Sequence, residues 1–169
     1  AVQDRILING SFNKLVAGKS MVHVDVSVFN AEDGSRIWQR TQNNHTHANG
    51  QHGEQDLHPV IVGNRLYCEP FAYDLQTGKS LADWKWNYGR RSGCGTISAS
   101  ASTFFFRHSH PTMFDLTSNS YSKITTSTRP GCWINMIPAG GLLLIPEGSS
   151  GCSCNYAIQS SMAFLPFGK

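Results

Sequence analysis

Charge is scarce in this sequence. Only 15% of its 169 residues are Asp, Glu, Lys or Arg, and the net charge is +3 with histidine neutral. Apart from Arg90-Arg91 the basic residues are scattered, so the concentrated basic stripe of a nucleic-acid binder is missing. No run of about 18 apolar residues occurs, and no segment reads as a membrane span. The longest apolar stretch, Gly140 to Pro146, has the length of a strand. The chain starts in a strand-like segment without a leader peptide, as a mature form or a fragment would. C-x-x-C and C-x-x-C-H are absent, which excludes haem attachment and thioredoxin-type chemistry. The G-x-S-x-G elbow, the P-loop, H-E-x-x-H and the dinucleotide fingerprint are missing too.

What is there favours sheet. Sixteen glycines, with abundant Ser, Thr and Asn, separate short apolar runs rich in aromatic and β-branched residues. That pattern belongs to short strands joined by many turns. A hydrophobic content of 40% suffices for a core. The five cysteines, Cys68, Cys94, Cys132, Cys152 and Cys154, are an odd number, and four of them stand at glycine-rich turns. They read either as buried thiols or as one or two disulfides of an exported protein, periplasmic or extracellular.

The sequence repeats itself. At an offset of 38, Gly93-Cys94 falls on Gly131-Cys132, and Thr103-Phe104-Phe105-Phe106 on Gly141-Leu142-Leu143-Leu144. One step back, Gly63-Asn64-Arg65 falls on Ala101-Ser102-Thr103 and Leu66-Tyr67-Cys68 on the phenylalanines. Ala72-Tyr73-Asp74-Leu75 matches Met113-Phe114-Asp115-Leu116 at an offset of 41, the extra three residues being assigned to a loop from Arg107 to Pro111. Val28-Phe29-Asn30-Ala31 is an earlier copy. Two copies continue into turns with glycine, Glu32-Asp33-Gly34-Ser35 and Gln76-Thr77-Gly78-Lys79, where positive φ is expected. Tryptophan strands follow, Arg36-Ile37-Trp38-Gln39 and Trp84-Lys85-Trp86.

Four-stranded units of about 40 residues are the size of propeller blades. Four fit here, at 1–40, 54–88, 94–126 and 132–166. The first lacks a clear innermost strand, and the last lacks the glycine turn and tryptophan. The fold expected is therefore all-β, a partial β-propeller of about four antiparallel blades in a single domain. Asp74 and Asp115 recur at the strand end and read as turn acids.

Pro59-Val60-Ile61-Val62-Gly63-Asn64-Arg65-Leu66-Tyr67, followed by Ala72-Tyr73-Asp74-Leu75-Gln76-Thr77-Gly78-Lys79, resembles the repeat of pyrroloquinoline-quinone-like (PQQ-like) propellers, as does Val28 to Trp38. The resemblance is strong over 22–80 and weaker after 90, where the chain is similar to the final blades of large exported bacterial proteins. It implies that Trp38 docks one blade on the next, with Trp84 displaced from that role by Ala82-Asp83. It also implies more than four blades. The rest would come from another chain, a second copy or a preceding region. The family name does not imply the cofactor, since many members serve as scaffolds or binding surfaces.

In such a propeller the loops entering the innermost strands converge on one face. Repeat phase places three loops there, 49–55, 90–95 and 129–133, carrying His52, Glu54, Arg90, Arg91, Cys94, Arg129, Cys132 and Trp133. This is the expected ligand- or partner-binding set. Cys94 and Cys132 share one repeat position, so a disulfide between them is expected, with Cys152 or Cys154 as rivals for Cys132. Cys68 reads as a buried thiol. For the quinone, Trp133 and the arginines supply an aromatic floor and cations. No Asp stands in the converging loops, and a quinoprotein-like oxidoreductase is a second reading. His45, His47, His52 and His58, with Glu54, suggest zinc or copper and a metal-assisted hydrolase as a third. Their Asn- and Gly-rich flanks read as a loop, in which His spacing sets no geometry. His108 and His110 fall in another unit's loop.

Overall fold

The computed structural model describes residues 4–47, 58–86, 93–148, 151 and 158–166, with backbone alone at 13, 22 and 43–47. Thirteen strands and no helix occur among the described residues, so the chain is all-β. No helix among them is long and apolar enough to cross a membrane. The chain divides into two compact units, 1–85 and 86–169.

The first unit holds two antiparallel sheets. β1 (Arg5–Val16), β2 (Lys19–Asn30) and β3 (Arg36–His47) form one, in that order. β4 (Val60–Val62), β5 (Arg65–Cys68) and β6 (Phe71–Asp74) form the other. Alternation along β2 sends Val24, Val26 and Val28, all fully buried, into a core shared with Trp38, Leu66, Cys68, Tyr73 and Leu75. The second unit holds a sheet of β7 (Ser98–Ala99), β8 (Thr103–His108), β9 (His110–Asp115) and β10 (Ser120–Lys123). Its other sheet is β11 (Ile137–Ala139), β12 (Leu142–Ile145) and β13 (Met162–Phe164). Among the described residues only the third sheet has the four strands expected of every unit; the other three have three each.

The repeat is visible in the hydrogen bonds. Ala31 N–H donates to the Asp4 carbonyl, Leu75 N–H to Asn64 and Leu116 N–H to Ser102. These bonds equate β1 with β5 and β8, and β2 with β6 and β9. Among the described residues the first sheet has no strand in the place of β4 and β7, so β1 is its edge. The turns after the matching strands are built alike. Gly34 N–H returns to the Asn30 carbonyl and Gly78 N–H to Asp74, with φ of 71° and 65°. In the third sheet Asn119 supplies the left-handed residue, at φ 53°.

Asp74 Oδ1 accepts from the Thr77 hydroxyl and from Gln76 and Thr77 N–H. Asp115 Oδ1 accepts from Thr117 and Ser118 N–H, and Asp33 Oδ1 from Ser35 N–H and hydroxyl. These are turn acids, and their hydrogen bonds hold all three carboxyls below the usual aspartate range.

Trp38 is 6% exposed. Its Nε1–H donates to the Leu75 carbonyl at 2.8 Å, and its ring lies 6.2 Å from that of Tyr73. A Cβ on Gly78 would come within 2.6 Å of the indole, so the glycine turn of the second sheet is the floor on which the tryptophan of the first is laid. The corresponding residue for the third sheet is Trp86, not Trp84. Trp86 stacks on Phe114 at 5.6 Å and 18° and lies against Phe104 and Phe106. Trp84 turns back into its own unit, edge-on to Tyr67 and donating to the Pro70 carbonyl.

Three further expectations change. Arg107 to Pro111 is not a loop. The second sheet makes its hairpin from four residues, a two-residue turn and four more, while the third uses six, one and six. Extra hydrogen-bonded pairs satisfy more backbone than an extra loop would. His108 and His110 accordingly pair across the hairpin around Ser109. The register of the fourth sheet also slips by one. Ala139 pairs with Leu142 around Gly140-Gly141 as Val62 pairs with Arg65 around Gly63-Asn64. Leu143 and Ile145, rather than Leu142 and Leu144, thus stand where Leu66 and Cys68 stand, and both are buried. Finally, residues 43–47 end strand β3 instead of forming a loop.

Candidate functional site

Of the three loops expected to converge, 129–133 and the 93–95 end of 90–95 are described, and the segments that follow them are joined. Asn135 clasps the strand entering β7: its Oδ1 accepts from Thr96 N–H at 2.8 Å, and its Nδ2 donates to the Thr96 hydroxyl. Ser98 Oγ–H donates to the Met136 carbonyl at 2.6 Å. Gly95, at φ 137°, approaches Asn135 so closely that a Cβ would sit 3.0 Å from its Oδ1. These bonds tie 95–98 to 135–136.

Cys132 lies at the centre. Arg129 Nη1 approaches its Sγ at 3.7 Å and Arg107 Nη1 at 3.9 Å. Both arginines are buried, Arg129 completely. Arg129 also donates to the Pro130 carbonyl and Arg107 to Ser109. The backbone turns sharply here. Gly131 N–H donates to Pro146, Ile134 N–H to Gly131, and Trp133 holds a left-handed φ of 62°. A β-carbon on Gly131 would strike Gly148 N at 2.7 Å. Trp133, next to Cys132 in the chain, is 38% exposed.

Of the expected set, then, Arg129, Cys132 and Trp133 form one cluster and half-buried Cys94 borders it. His52, Glu54, Arg90 and Arg91 lie outside the described residues. Sequence reasoning missed Arg107, Thr96 and Asn135. Arg107 was assigned to a loop, and only the extended β8 carries it to Cys132. Asn135 follows Cys132 by three residues, as Ile97 follows Cys94, and no repeat copy signals it.

The disulfide between Cys94 and Cys132 is not made; Cys68, Cys94 and Cys132 are thiols rather than half-cystines. Arg107 is the physical reason. Its Cγ would lie 2.7 Å from a Cβ on Gly93 while its Nη1 reaches Cys132, so a guanidinium side chain fills the space between the two repeat positions. Cys152 and Cys154 lie outside the described residues. Cys68 is fully buried, and burial pushes its thiol up to about 12.

The described residues do not fit a quinone. Fully buried Arg129 presents nothing to a carboxylate, and no three metal-ligating side chains cluster among the described residues. The proposed metal set is divided: His52 lies outside the described residues, His45 and His47 have described backbone only, and His58 is exposed. No family model matches the chain, and no curated protein matches it.

Proposed function

We propose that the chain is a run of consecutive blades of a PQQ-like β-propeller, serving as a non-catalytic module that binds a partner or small ligand where the 93–97 and 129–135 loops meet. The observation that carries this reading is the clamp of Asn135 on Thr96, which holds the segments around 96 and 135 together, with part-exposed Trp133 two residues before Asn135. The part-exposed Trp133 indole offers a face on which a planar group can stack. The propeller itself is supported by the threefold hydrogen-bond repeat and by Trp38 lying on the Gly78 turn. The remaining blades would come from a second copy, another chain or a preceding region. The exposed edge strand β1, with Ile6, Ile8 and Phe12 at the surface, supports that need. Export to the periplasm or beyond rests on the resemblance, not on the thiols.

The test is a titration of the full chain with citrate, phosphate and the quinone cofactor itself, read by tryptophan fluorescence. Metal content and the absorption spectrum are recorded on the same sample. A saturable change that disappears in Trp133→Phe is expected. Absence of any saturable change, or one that survives the substitution, would remove Trp133 from the site.

A further inference from the structure

A cavity of about 630 Å³ opens between the third and fourth sheets. Phe105 and Met113 wall it on one side, and Pro138, Leu143, Phe164 and Pro166 on the other. The pairing register shows which place in the repeat this is. Around Trp38, one sheet contributes the cross-strand series Trp38–Val28–Leu7 and the next contributes Ile61–Leu66–Tyr73. Around the cavity the matching series are Ser122–Met113–Phe105 and Pro138–Leu143–Phe164. Every wall has its counterpart, but Ser122 stands where Trp38 stands. By register the indole position of the first unit is reduced to an exposed serine in the second, and Ile124 also lines the cavity there.

We propose that this cavity binds a small, neutral, planar aromatic molecule of the indole class. The site is distinct from the loop cluster at Cys132 and does not depend on it. Two aromatic rings, a thioether and two prolines offer flat, polarisable walls to such a ring. The volume lies within the usual range for small-molecule sites. An apolar slot half open to solvent gains free energy by burying an aromatic guest of matching shape. A hydrogen-bond acceptor is indicated as well. Trp38 donates to the Leu75 carbonyl. Leu75 lies across from Asn64, and counting two residues beyond the last β12–β13 pair assigns Pro166, which lines the cavity, to the corresponding place across from Gly141, without the N–H bond that Leu75 makes. The Pro166 carbonyl takes the place of the Leu75 acceptor and selects a ring bearing an N–H over a pure hydrocarbon.

The experiment titrates the full chain with 5-fluoroindole, read by fluorine NMR, with the ε-methyl of Met113 followed in methyl-labelled protein. Saturable binding is expected, with an upfield ring-current shift at Met113 and none at Met21. Naphthalene, which lacks the N–H, should bind at least tenfold more weakly. Ser122→Trp should fill the slot from within, weaken 5-fluoroindole binding at least tenfold and raise the melting midpoint. Absence of saturable binding, binding that leaves Met113 unmoved, or binding untouched in a folded Ser122→Trp protein would each overturn the proposal. Should that variant fail to fold, the Met113 resonance decides alone.

Discussion

Gly78 and Trp38 act as one device. The glycine is needed twice, for its left-handed φ and because a Cβ would enter the indole. Trp38→Ala is expected to cost about 3–5 kcal/mol in urea unfolding, as large core truncations do. Gly78→Ala should cost more than the roughly 1 kcal/mol of backbone strain alone. In the Trp38→Ala background that excess should disappear, giving a coupling of about 1–2 kcal/mol in a double-mutant cycle. Full additivity would show that the ring and the turn do not touch. The thiols differ as sharply. Cys68, buried and with its thiol pushed up to about 12, should resist iodoacetamide at pH 8 until the protein unfolds. Half-buried Cys94 and Cys132 should label in the native state, and peptide mapping distinguishes them. The turn acids set the acid limit. Asp33, Asp74 and Asp115 titrate below their unfolded value near 3.9, so their stabilisation is complete above about pH 4 and is lost as pH falls through the folded values. Replacing all three by Asn should flatten the decline of the melting midpoint below pH 4. An unchanged decline would place the acid-sensitive groups elsewhere.

At the level of strands, the sequence made the turns legible and the registers only in part. Gly34 and Gly78 could be recognised because positive φ demands a particular residue, and alternation revealed the buried Val24-Val26-Val28 face. The one-residue slip at Gly140-Gly141 was hidden, because Leu142, Leu143 and Leu144 are chemically identical and only pairing shows which of them faces inward. Trp84 and Trp86 posed the same difficulty. Two positions apart on an extended segment, they share a face by period, and only the packing of Phe104, Phe106 and Phe114 selects Trp86. Trp86→Ala should therefore destabilise by about 3–5 kcal/mol. Trp84→Ala, whose Nε1 bonds an exposed carbonyl, should cost less than half as much by the same measurement. Equal losses would show that the aromatic packing around Trp86 does not set it apart from Trp84. The loop cluster was legible where repeat phase spoke, at Cys94 and Cys132. It was illegible at Arg107, whose reach depends on a strand length the sequence did not specify.

For the whole molecule, the exposed β1 edge is the feature to test. Its outward Ile6, Ile8 and Phe12 form an apolar face along an edge strand of twelve residues, which soluble chains normally cover or charge. Sedimentation should show concentration-dependent association that weakens in Ile8→Lys, whose charge opposes edge pairing. A monomer at all concentrations would mean that no second copy covers this edge. The same hairpin offers something practical. Its core contacts come from the proximal half, at Leu7 and at Val24 to Val28. From Gly10 to Lys19, Asn13 aside, every residue faces solvent. The tip at Ala17-Gly18, where both residues have positive φ and are exposed, is a handle at the far end of its hairpin. A fluorophore, an epitope or a surface tether could be grafted there, and the protein immobilised or tracked by it, without disturbing a single buried side chain.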